Sequence, residues 1–168
     1  VAEDKVTFTI TNTGKMDGEE IAQMYVSCKS DKIYRPKKEL KGFKKVFLKA
    51  GESKQVEIPF DDKTFRYFNV KTNKFEIETA EYVINIASNV EDVRISAEIS
   101  IKGTEAENPY DKEKMPSYYN ADIKNVDDKQ FETLLGRKIP DGSWSGELSM
   151  YDAFCQLYYA KRWVGRLV

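Results

Sequence analysis

A chain of 168 residues is long enough for one domain, or for one domain with an appendage, and can bury a core without disulfides or a metal. Its 27 basic and 28 acidic residues nearly cancel, so we expect no general attraction to nucleic acid, and no stretch approaches the ~20 apolar residues that a membrane helix needs. The chain contains no histidine, which excludes Ser–His and Cys–His nucleophile pairs and removes the most frequent general base and metal ligand.

The two cysteines, Cys28 and Cys155, lie far apart in the sequence and predict neither a zinc site nor a disulfide framework. We interpret them as simple thiols, which fits a reducing compartment. Together with the balanced charge, this favours a cytoplasmic rather than a secreted protein. We expect no cofactor and no metal.

The two ends of the chain indicate a piece of a longer polypeptide. Val1 is not an initiator methionine, and Val6 already begins a strand pattern. Residues 158–168 are still apolar and aromatic, without a polar tail. We therefore expect both ends to be cuts within a longer chain.

Residues 1 to about 103 contain short apolar alternations that predict β-strands. In the first of them Val6, Phe8 and Ile10 alternate with threonines, which places the apolar side chains on one face of the pleat. Residues that form turns separate the runs at the spacing typical of a sandwich. The later strands are predicted at 21–26, 44–48, 56–60, 65–68, 75–77, 82–86 and 93–101. Since no amphipathic helix lies between them, the pattern favours antiparallel sheets.

Residues 104–168 have a different composition. The stretch 104–125 contains two prolines and few aliphatic residues, which indicates an extended strap over a surface. Asp127 as N-cap and Gly136 as the stop predict a short helix at 127–135, and Ser149 predicts the start of a second one, with Met150, Ala153, Phe154 and Leu157 on one face. We therefore divide the chain into a β-sandwich at 1–103 and a strap with short helices at 104–168, which leads towards another domain.

Several ordered segments resemble one known domain. Residues 6–14 read VTFTITNTG, residues 18–26 read GEEIAQMYV, residues 35–46 read RPKKELKGFKKV, and Gly51 begins a Gly-Glu-Ser turn. This series resembles the fibronectin type III-like domain of family-3 glycoside hydrolases, mostly β-glucosidases and β-xylosidases. The chain departs from that family at Ala80, where a glycine is usual, and in the turn at 88–92, which affects loop geometry and not the fold.

The resemblance implies a mainly β fold, an immunoglobulin- or fibronectin III-like antiparallel sandwich with a C-terminal strap. It also implies a non-catalytic accessory domain, because the family's nucleophile and acid lie on a barrel and an α/β domain that this chain lacks. Residues 131–140 weakly resemble the segment after this domain in bacterial members whose barrel follows the module. The implied partners are the catalytic domains of the same parent chain and the parent's carbohydrate substrate.

The segment 35–43 holds the candidate residues for docking onto those domains. Pro36 removes a backbone donor, Gly42 permits close approach of the backbone, and the guanidinium of Arg35 can bind a carboxylate in a fork. The alternative is an ordinary crossover that packs on its own core. The full set of docking candidates is Arg35, Pro36, Glu39, Leu40, Gly42 and Phe43.

Aromatic rings are the other candidate feature, because an apolar ring face matches a sugar face. The possible sugar contacts are Trp144, Tyr118 and Tyr119, with Tyr158, Tyr159 and Trp163 as further aromatics of the same region. The alternative is packing of these rings on the sandwich or on other domains. Adjacent acids at 61–62 and 127–128 are interpreted as turn and cap residues, not as a catalytic pair.

Two alternative functions stay open beside that of an accessory domain. One is an independent carbohydrate-binding module, and the other is an adhesive β-sandwich without a link to hydrolysis. Within the accessory reading, the loop at 27–34 is a candidate for reaching the rim of the parent's active site.

Overall fold

The computed structural model describes residues 1–2, 4–143, 146–147, 153, 155 and 159. The chain divides into two compact units, Val1–Arg137 and Lys138–Val168. All strands and helices given below belong to the first unit.

The described residues form eight β-strands followed by short helices. The strands are β1 Lys5–Thr11, β2 Gly18–Cys28, β3 Glu39–Leu48, β4 Ser53–Pro59, β5 Arg66–Asn69, β6 Lys74–Ile77, β7 Ala80–Ala87 and β8 Val93–Ile101. The helices are α1 Pro116–Tyr119 and α2 Asp128–Leu135, with 3₁₀ turns at Asp62–Phe65 and Ile123–Asn125. In the described part of the chain no helix is long and apolar enough to cross a bilayer.

The strands pair antiparallel in three sheets. The largest has the order β3-β2-β7-β8, a second consists of β1 and β4, and β5 and β6 form a separate hairpin. The predicted mainly β antiparallel fold is confirmed, and each predicted strand is present. The third strand begins at Glu39, five residues before its predicted start at Lys44.

One apolar layer joins the two larger sheets. Val6 lies opposite Ile58 in the β1–β4 ladder, and Met24 lies opposite Ile86 in the β2–β7 ladder. These four side chains belong to one buried cluster. Because alternate residues of a strand point to opposite faces, each strand contributes every second side chain to this layer. The result is the two-layer sandwich that the alternations predict.

The strap after β8 lies along the sandwich and the β5–β6 hairpin. The backbone N–H of Thr104 donates to the Ile77 carbonyl at 2.9 Å, and Asn69 Nδ2 donates to the Glu107 carbonyl at 2.8 Å. Asn108 Nδ2 donates to the Lys32 carbonyl in the β2–β3 loop at 3.1 Å. These bonds tie the start of the strap to the sandwich, and the compact unit extends beyond them to Arg137.

Helix α2 has the ends that the sequence predicts. The side chain of Asp127 accepts a hydrogen bond from the Gln130 N–H at 2.8 Å, and Gly136 ends the helix with φ of 73°. A Cβ at Gly136 would lie 2.7 Å from Val70 Cγ2, so the same glycine also lets the helix end approach the hairpin. The predicted second helix, with Met150, Phe154 and Leu157, falls on residues outside the described ones.

Gly42 in β3 faces the core, and its substitution tests how tightly the two layers pack. A Cβ at this position would lie 2.8 Å from Ile58 Cγ2 and 3.3 Å from Met24 Cε. We expect Gly42→Ala to lower the free energy of unfolding by about 1–3 kcal/mol, because the added carbon forces core side chains to move. Urea denaturation of the 168-residue chain measures this change.

Gly18→Ala is the matched control, since Gly18 lies at the start of β2 with no atom within 4 Å of an added Cβ. We expect this exposed substitution to change the free energy of unfolding by no more than about 0.5 kcal/mol. Equal urea midpoints for the two variants would contradict the close packing at Gly42.

Candidate docking site

The edge strand β3 presents apolar side chains on the outer face of the four-stranded sheet. Phe43 lies opposite Gln23, and Phe47 lies opposite Glu19, so both share a face with Ile21, which lies between those two β2 residues on the same side. An irregularity in the ladder lets Leu40 face Tyr25 on this same side, while Gly42 faces the core. We call the group Ile21, Leu40, Phe43 and Phe47 the β3 face.

The β3 face is open to solvent. Phe43 is 65% exposed, Leu40 51%, Phe47 48% and Ile21 42%. Single exposed apolar residues are ordinary, but a contiguous apolar patch on a soluble domain marks a surface that meets another molecule or domain. The arrangement therefore offers a docking surface, and it can contribute binding energy by burying aromatic rings.

Charged groups around the β3 face are paired within the domain. Lys45 forms an ion pair with Glu19 at 2.5 Å, and Lys54 donates to the Phe47 carbonyl at 2.8 Å. An apolar partner can therefore cover the rings while these lysines keep their existing partners. This reduces the desolvation cost that unpaired charges would add at the rim of an interface.

The six residues that the sequence predicted for docking lie in different environments in the structure. Leu40 and Phe43 lie on the β3 face, Pro36 is exposed in the loop before it, and Gly42 points to the core. Glu39 is half-buried and forms an ion pair with Lys41 at 2.5 Å. Ile21 and Phe47 were missed by sequence reasoning, although the alternation of positions 43, 45 and 47 could have placed Phe47 beside Phe43.

Arg35 lies inside the domain, where it pairs with a residue that the sequence did not indicate. Its Nη2 lies 2.6 Å from Glu78 Oε2, and the side chains are only 10% and 9% exposed. The guanidinium also lies over the rings of Tyr67 and Tyr82, at 5.5 and 5.7 Å from their centroids. Arg35 therefore joins the β2–β3 loop to the β6–β7 turn, and the predicted carboxylate partner is Glu78 of the same domain.

Other groups contact the carboxylate and the backbone carbonyl of Glu78. Ser30 Oγ donates to Oε1, and Tyr82 OH donates to the Glu78 carbonyl at 2.9 Å. Burial raises the pKa of the Tyr82 phenol to about 12 and raises the pKa of the Cys28 thiol, whose Sγ lies 3.7 Å from Glu78 Oε2. A thiol with a raised pKa is a poor nucleophile, so this cluster has a structural and not a reactive character.

The tyrosines predicted as sugar contacts pack against the β2–β3 loop. The rings of Tyr118 and Tyr119 form T-shaped contacts with the Tyr34 ring, at centroid distances of 5.4 and 5.7 Å. Tyr119 OH donates to the Lys32 carbonyl at 3.0 Å, and Lys112 Nζ lies 5.0 Å from the Tyr119 ring centroid. These contacts match the packing alternative, in which the rings tie the strap to the loop. Trp144, Tyr158 and Trp163 lie outside the described residues, and Tyr159 is exposed.

An open cavity of about 760 Å³ lies beside the strap, and acids occur among its lining residues. Hydrogen bonds from Lys112 lower the pKa of Asp31, and those from Lys114 lower the pKa of Asp111. A glycosidase needs one carboxyl group whose pKa is raised, so that it can act as the general acid. Asp31 and Asp111 have the opposite tendency, since the pKa of each carboxyl group is lowered by a lysine.

The first acid of each adjacent pair, Asp61 and Asp127, serves as an N-cap. Asp61 accepts from the Lys63 N–H at 2.9 Å, as Asp127 does from Gln130. Among the described residues no group of three or more His, Cys, Asp or Glu side chains is placed to hold a metal ion.

The Arg35–Glu78 pair can be tested by a double-mutant cycle. We expect Arg35→Leu to lower the free energy of unfolding by roughly 3–5 kcal/mol, because the carboxylate of Glu78 loses its partner in a nearly dry site. The double variant Arg35→Leu/Glu78→Leu should recover most of this loss. Lys5→Leu, which breaks the exposed pair of Lys5 with Glu57, is the control and should leave the urea midpoint unchanged. A double variant as unstable as Arg35→Leu alone would contradict the pairing.

The raised pKa of Tyr82 predicts how stability changes at high pH. Above about pH 10 the phenols of the unfolded chain ionise, whereas folded Tyr82 stays protonated until about pH 12, so rising pH favours unfolding in this range. We expect the urea midpoint to fall between about pH 10 and 12, and to fall less steeply in Tyr82→Phe. Identical pH profiles for the two proteins would show that Tyr82 makes no contribution.

Comparison with known proteins shows which domain family and which proteins the β-sandwich is similar to. Residues 20–90 match the family model of the fibronectin type III-like domain. The chain is similar to the exo-α-(1→6)-L-arabinopyranosidase of Bifidobacterium breve, with 41% identity over 98 residues that cover 58% of this chain and 13% of that protein. It is also similar to the thermostable β-glucosidase B of Acetivibrio thermocellus, with 37% identity over 99 residues that cover 59% of this chain and 13% of that protein.

Solved structures show the same relationship. The GH3 β-glucosidase of Bifidobacterium adolescentis is similar over 97% of this chain and 18% of that chain, with a TM-score of 0.58 and 28% identity. The β-glucosidase of Kluyveromyces marxianus is similar over 62% of this chain and 13% of that chain, with a TM-score of 0.57 and 36% identity. The chain thus spans a small part of each relative. Its β-sandwich carries a fibronectin type III-like domain at residues 20–90, and the four relatives named above are glycosidases.

Proposed function

We propose that this chain is a non-catalytic accessory domain of a family-3 glycoside hydrolase. It braces the catalytic domains of the same polypeptide, which hydrolyses terminal β-glycosidic bonds in the manner of a β-glucosidase. The similarity to glycosidases that are several times longer supports this proposal. The partners are the catalytic domains of the parent chain, and the carbohydrate is bound by those domains.

The exposed β3 face is the observation that carries the proposal. Phe43 and Phe47 project from a rigid sheet whose other face is the core of the sandwich. A flat apolar surface backed by a packed core can hold a neighbouring domain at a fixed distance and angle. Because catalysis depends on reacting groups being placed within about 1 Å, a remote brace can affect the rate through position alone.

The paired groups inside the domain support a mechanical role. The Arg35–Glu78 pair and the bonds from Asn108 and Tyr119 to Lys32 hold the β2–β3 loop against the sandwich and the strap. This loop leads directly into β3. The face that docks is thus connected to a segment with many internal contacts, which favours a stiff connection over a flexible one.

The independent carbohydrate-binding module has less support. The rings of Tyr118 and Tyr119 each form a T-shaped contact with the Tyr34 ring, and the ammonium group of Lys112 lies over the ring of Tyr119. A sugar would need an open ring face at this place. The proposal therefore assigns these tyrosines to the attachment of the strap, and it predicts no binding of oligosaccharides by the isolated chain.

The test compares the 168-residue chain with the longer polypeptide that carries it. Both are assayed with p-nitrophenyl β-glucoside, first unchanged and then as Phe43→Ser/Phe47→Ser. We expect turnover by the unchanged longer polypeptide and none by the chain alone. In the longer polypeptide the double variant should lower the melting temperature and reduce kcat by up to about a hundredfold, since the catalytic domains lose their brace.

In the 168-residue chain the same double variant should shift the melting temperature by no more than about 2 °C, because both rings are already exposed there. Phe75→Ser is the matched control, since Phe75 is 64% exposed but lies on the β5–β6 hairpin. Unchanged kcat and melting temperature of the longer polypeptide with Phe43→Ser/Phe47→Ser would end the proposal of a brace. Turnover by the repurified chain alone would end the proposal of a non-catalytic domain.

A further inference from the structure

The charges of the chain are distributed unevenly along its sequence. Residues 35–49 contain seven basic residues and one acidic residue, whereas the rest of the chain contains 20 basic and 27 acidic residues. This segment therefore carries a formal charge of +6, although the net charge of the whole chain is −1. Such an asymmetry produces a local positive potential, which attracts a partner of opposite charge.

Internal contacts account for four of the seven basic side chains. These four are Arg35, Lys38, Lys41 and Lys45, whose partners are carboxylates or a backbone carbonyl of the same domain. The other three are Lys37, Lys44 and Lys49, and we call them the edge lysines. All three are exposed, and they form no ion pair or side-chain hydrogen bond with any residue that the structure describes. Three positive charges are thus available to a partner.

The edge lysines lie along the free edge of β3, beside the β3 face. This strand ends the order β3-β2-β7-β8 and pairs with β2 alone. Lys44 shares its side of the strand with Gly42, which faces the core, but Lys44 is exposed, so its side chain leaves the sheet at the open edge. Lys37 lies two residues before β3 begins, and Lys49 directly follows its end. A partner that covers Phe43 and extends over this edge can reach all three ammonium groups, because lysine side chains are long and flexible.

Protection of the edge against unwanted pairing explains only part of this charge. Lysines on an edge strand prevent other strands from adding to it. Lys44 lies within β3 and can serve in this way, but Lys37 and Lys49 lie outside the strand and contribute nothing to its ladder. The positive charge therefore extends beyond both ends of the strand, which indicates a surface larger than the strand edge.

Acids of the same region are already paired with other lysines. Glu19, Glu39 and Glu52 form ion pairs with Lys45, Lys41 and Lys54, respectively. A partner that covers the rings of the β3 face leaves these pairs intact, but it brings its own surface close to the edge lysines. Apolar groups at this border would remove water from unpaired ammonium groups, which costs free energy, whereas carboxylates would pair with them. The surface that fits is therefore apolar at its centre and acidic at its border.

We propose that the edge lysines bind carboxylates on the catalytic domain that docks on the β3 face. The docking surface of that domain is an apolar patch with Asp or Glu side chains along one border. This inference rests on the proposed function, because it takes the partner from the same longer polypeptide. It adds the chemical character of the partner surface and names three residues that select it, since charge complementarity governs specificity more than affinity.

A second copy of the chain fits the edge lysines less well. The residues outside 35–49 carry a formal charge of −7, so they could attract the edge lysines of another copy. Such a contact joins unlike surfaces of identical chains, and it grows into open assemblies unless a rotation closes it into a ring. A domain of the same polypeptide avoids this growth, because it is present once for each docking surface.

Thiol labelling measures whether a domain covers the β3 face. Ile21→Cys places a thiol on this face at a position that is 42% exposed and lies on β2, away from the free edge. Its reaction with N-ethylmaleimide is followed by mass spectrometry in the 168-residue chain and in the longer polypeptide. The protection factor is the labelling rate in the chain divided by the rate in the longer polypeptide, so an effect of a variant on the thiol pKa cancels. Because a docked domain must open before the reagent reacts, this factor follows the docking equilibrium.

Charge reversal of the edge lysines should weaken docking. We expect Lys37→Glu/Lys44→Glu/Lys49→Glu to lower the protection factor by roughly tenfold to a hundredfold, because three exposed ion pairs are lost. Glutamine at the same three positions should lower it less, since no repulsion is introduced. Addition of about 0.5 M NaCl should lower the protection factor of the unchanged edge towards that of the glutamine variant, because salt screens exposed pairs.

The matched control reverses three exposed lysines elsewhere, Lys15→Glu/Lys102→Glu/Lys124→Glu. These lysines also lack a side-chain partner among the described residues, and their reversal changes the net charge by the same amount. We expect the control to leave the protection factor within about twofold. Equal protection factors in the reversed edge and in the control would overturn the assignment of carboxylates to the partner. Labelling of the 168-residue chain that slows as its concentration rises would assign the surface to a second copy and would equally overturn it.

The measurement separates this inference from the proposed function. A protection factor near one with unchanged edge lysines would contradict both, since no domain would then cover the β3 face. Clear protection that charge reversal leaves unchanged would contradict the role of the edge lysines and support docking. Loss of protection on reversal, in a longer polypeptide without turnover of p-nitrophenyl β-glucoside, would support the edge lysines and count against the glycosidase.

Discussion

The single apolar layer between the two larger sheets is the constraint on which the rest of the structure depends. Each strand can give this layer only every second side chain, so the other face of each strand must meet solvent or another surface. In β1 the outward residues are threonines, whereas in β3 they include Phe43 and Phe47. The same alternation that builds the core therefore leaves aromatic rings on one outer face, and this face is the basis of the proposed role.

The buried pair of Arg35 and Glu78 shows how the domain holds the approach to that face. Ion pairs taken out of water are costly, and they persist where hydrogen bonds satisfy the remaining polar atoms. Here Ser30 bonds the second carboxylate oxygen and two tyrosine rings flank the guanidinium, whereas the buried Nε of Arg35 has no hydrogen-bond partner among the described residues. The β2–β3 loop is thus tied to the β6–β7 turn at its base and to the strap at its tip. A loop that is held at both places can keep β3 in a fixed orientation.

The amino-acid sequence by itself determined the strands, the caps of α2 at Asp127 and Gly136, and the family of the sandwich, because alternation, capping and turns are local patterns. It also suggested Leu40 and Phe43 as docking residues. Only the tertiary structure decided that Arg35 is bound by Glu78, 43 residues away, that Gly42 faces Ile58, and that Ile21 joins the β3 face. The order of the strands in the sheets was likewise decided by pairing between distant segments. Such pairings depend on which strands meet across the core, and no local pattern in the chain encodes that choice.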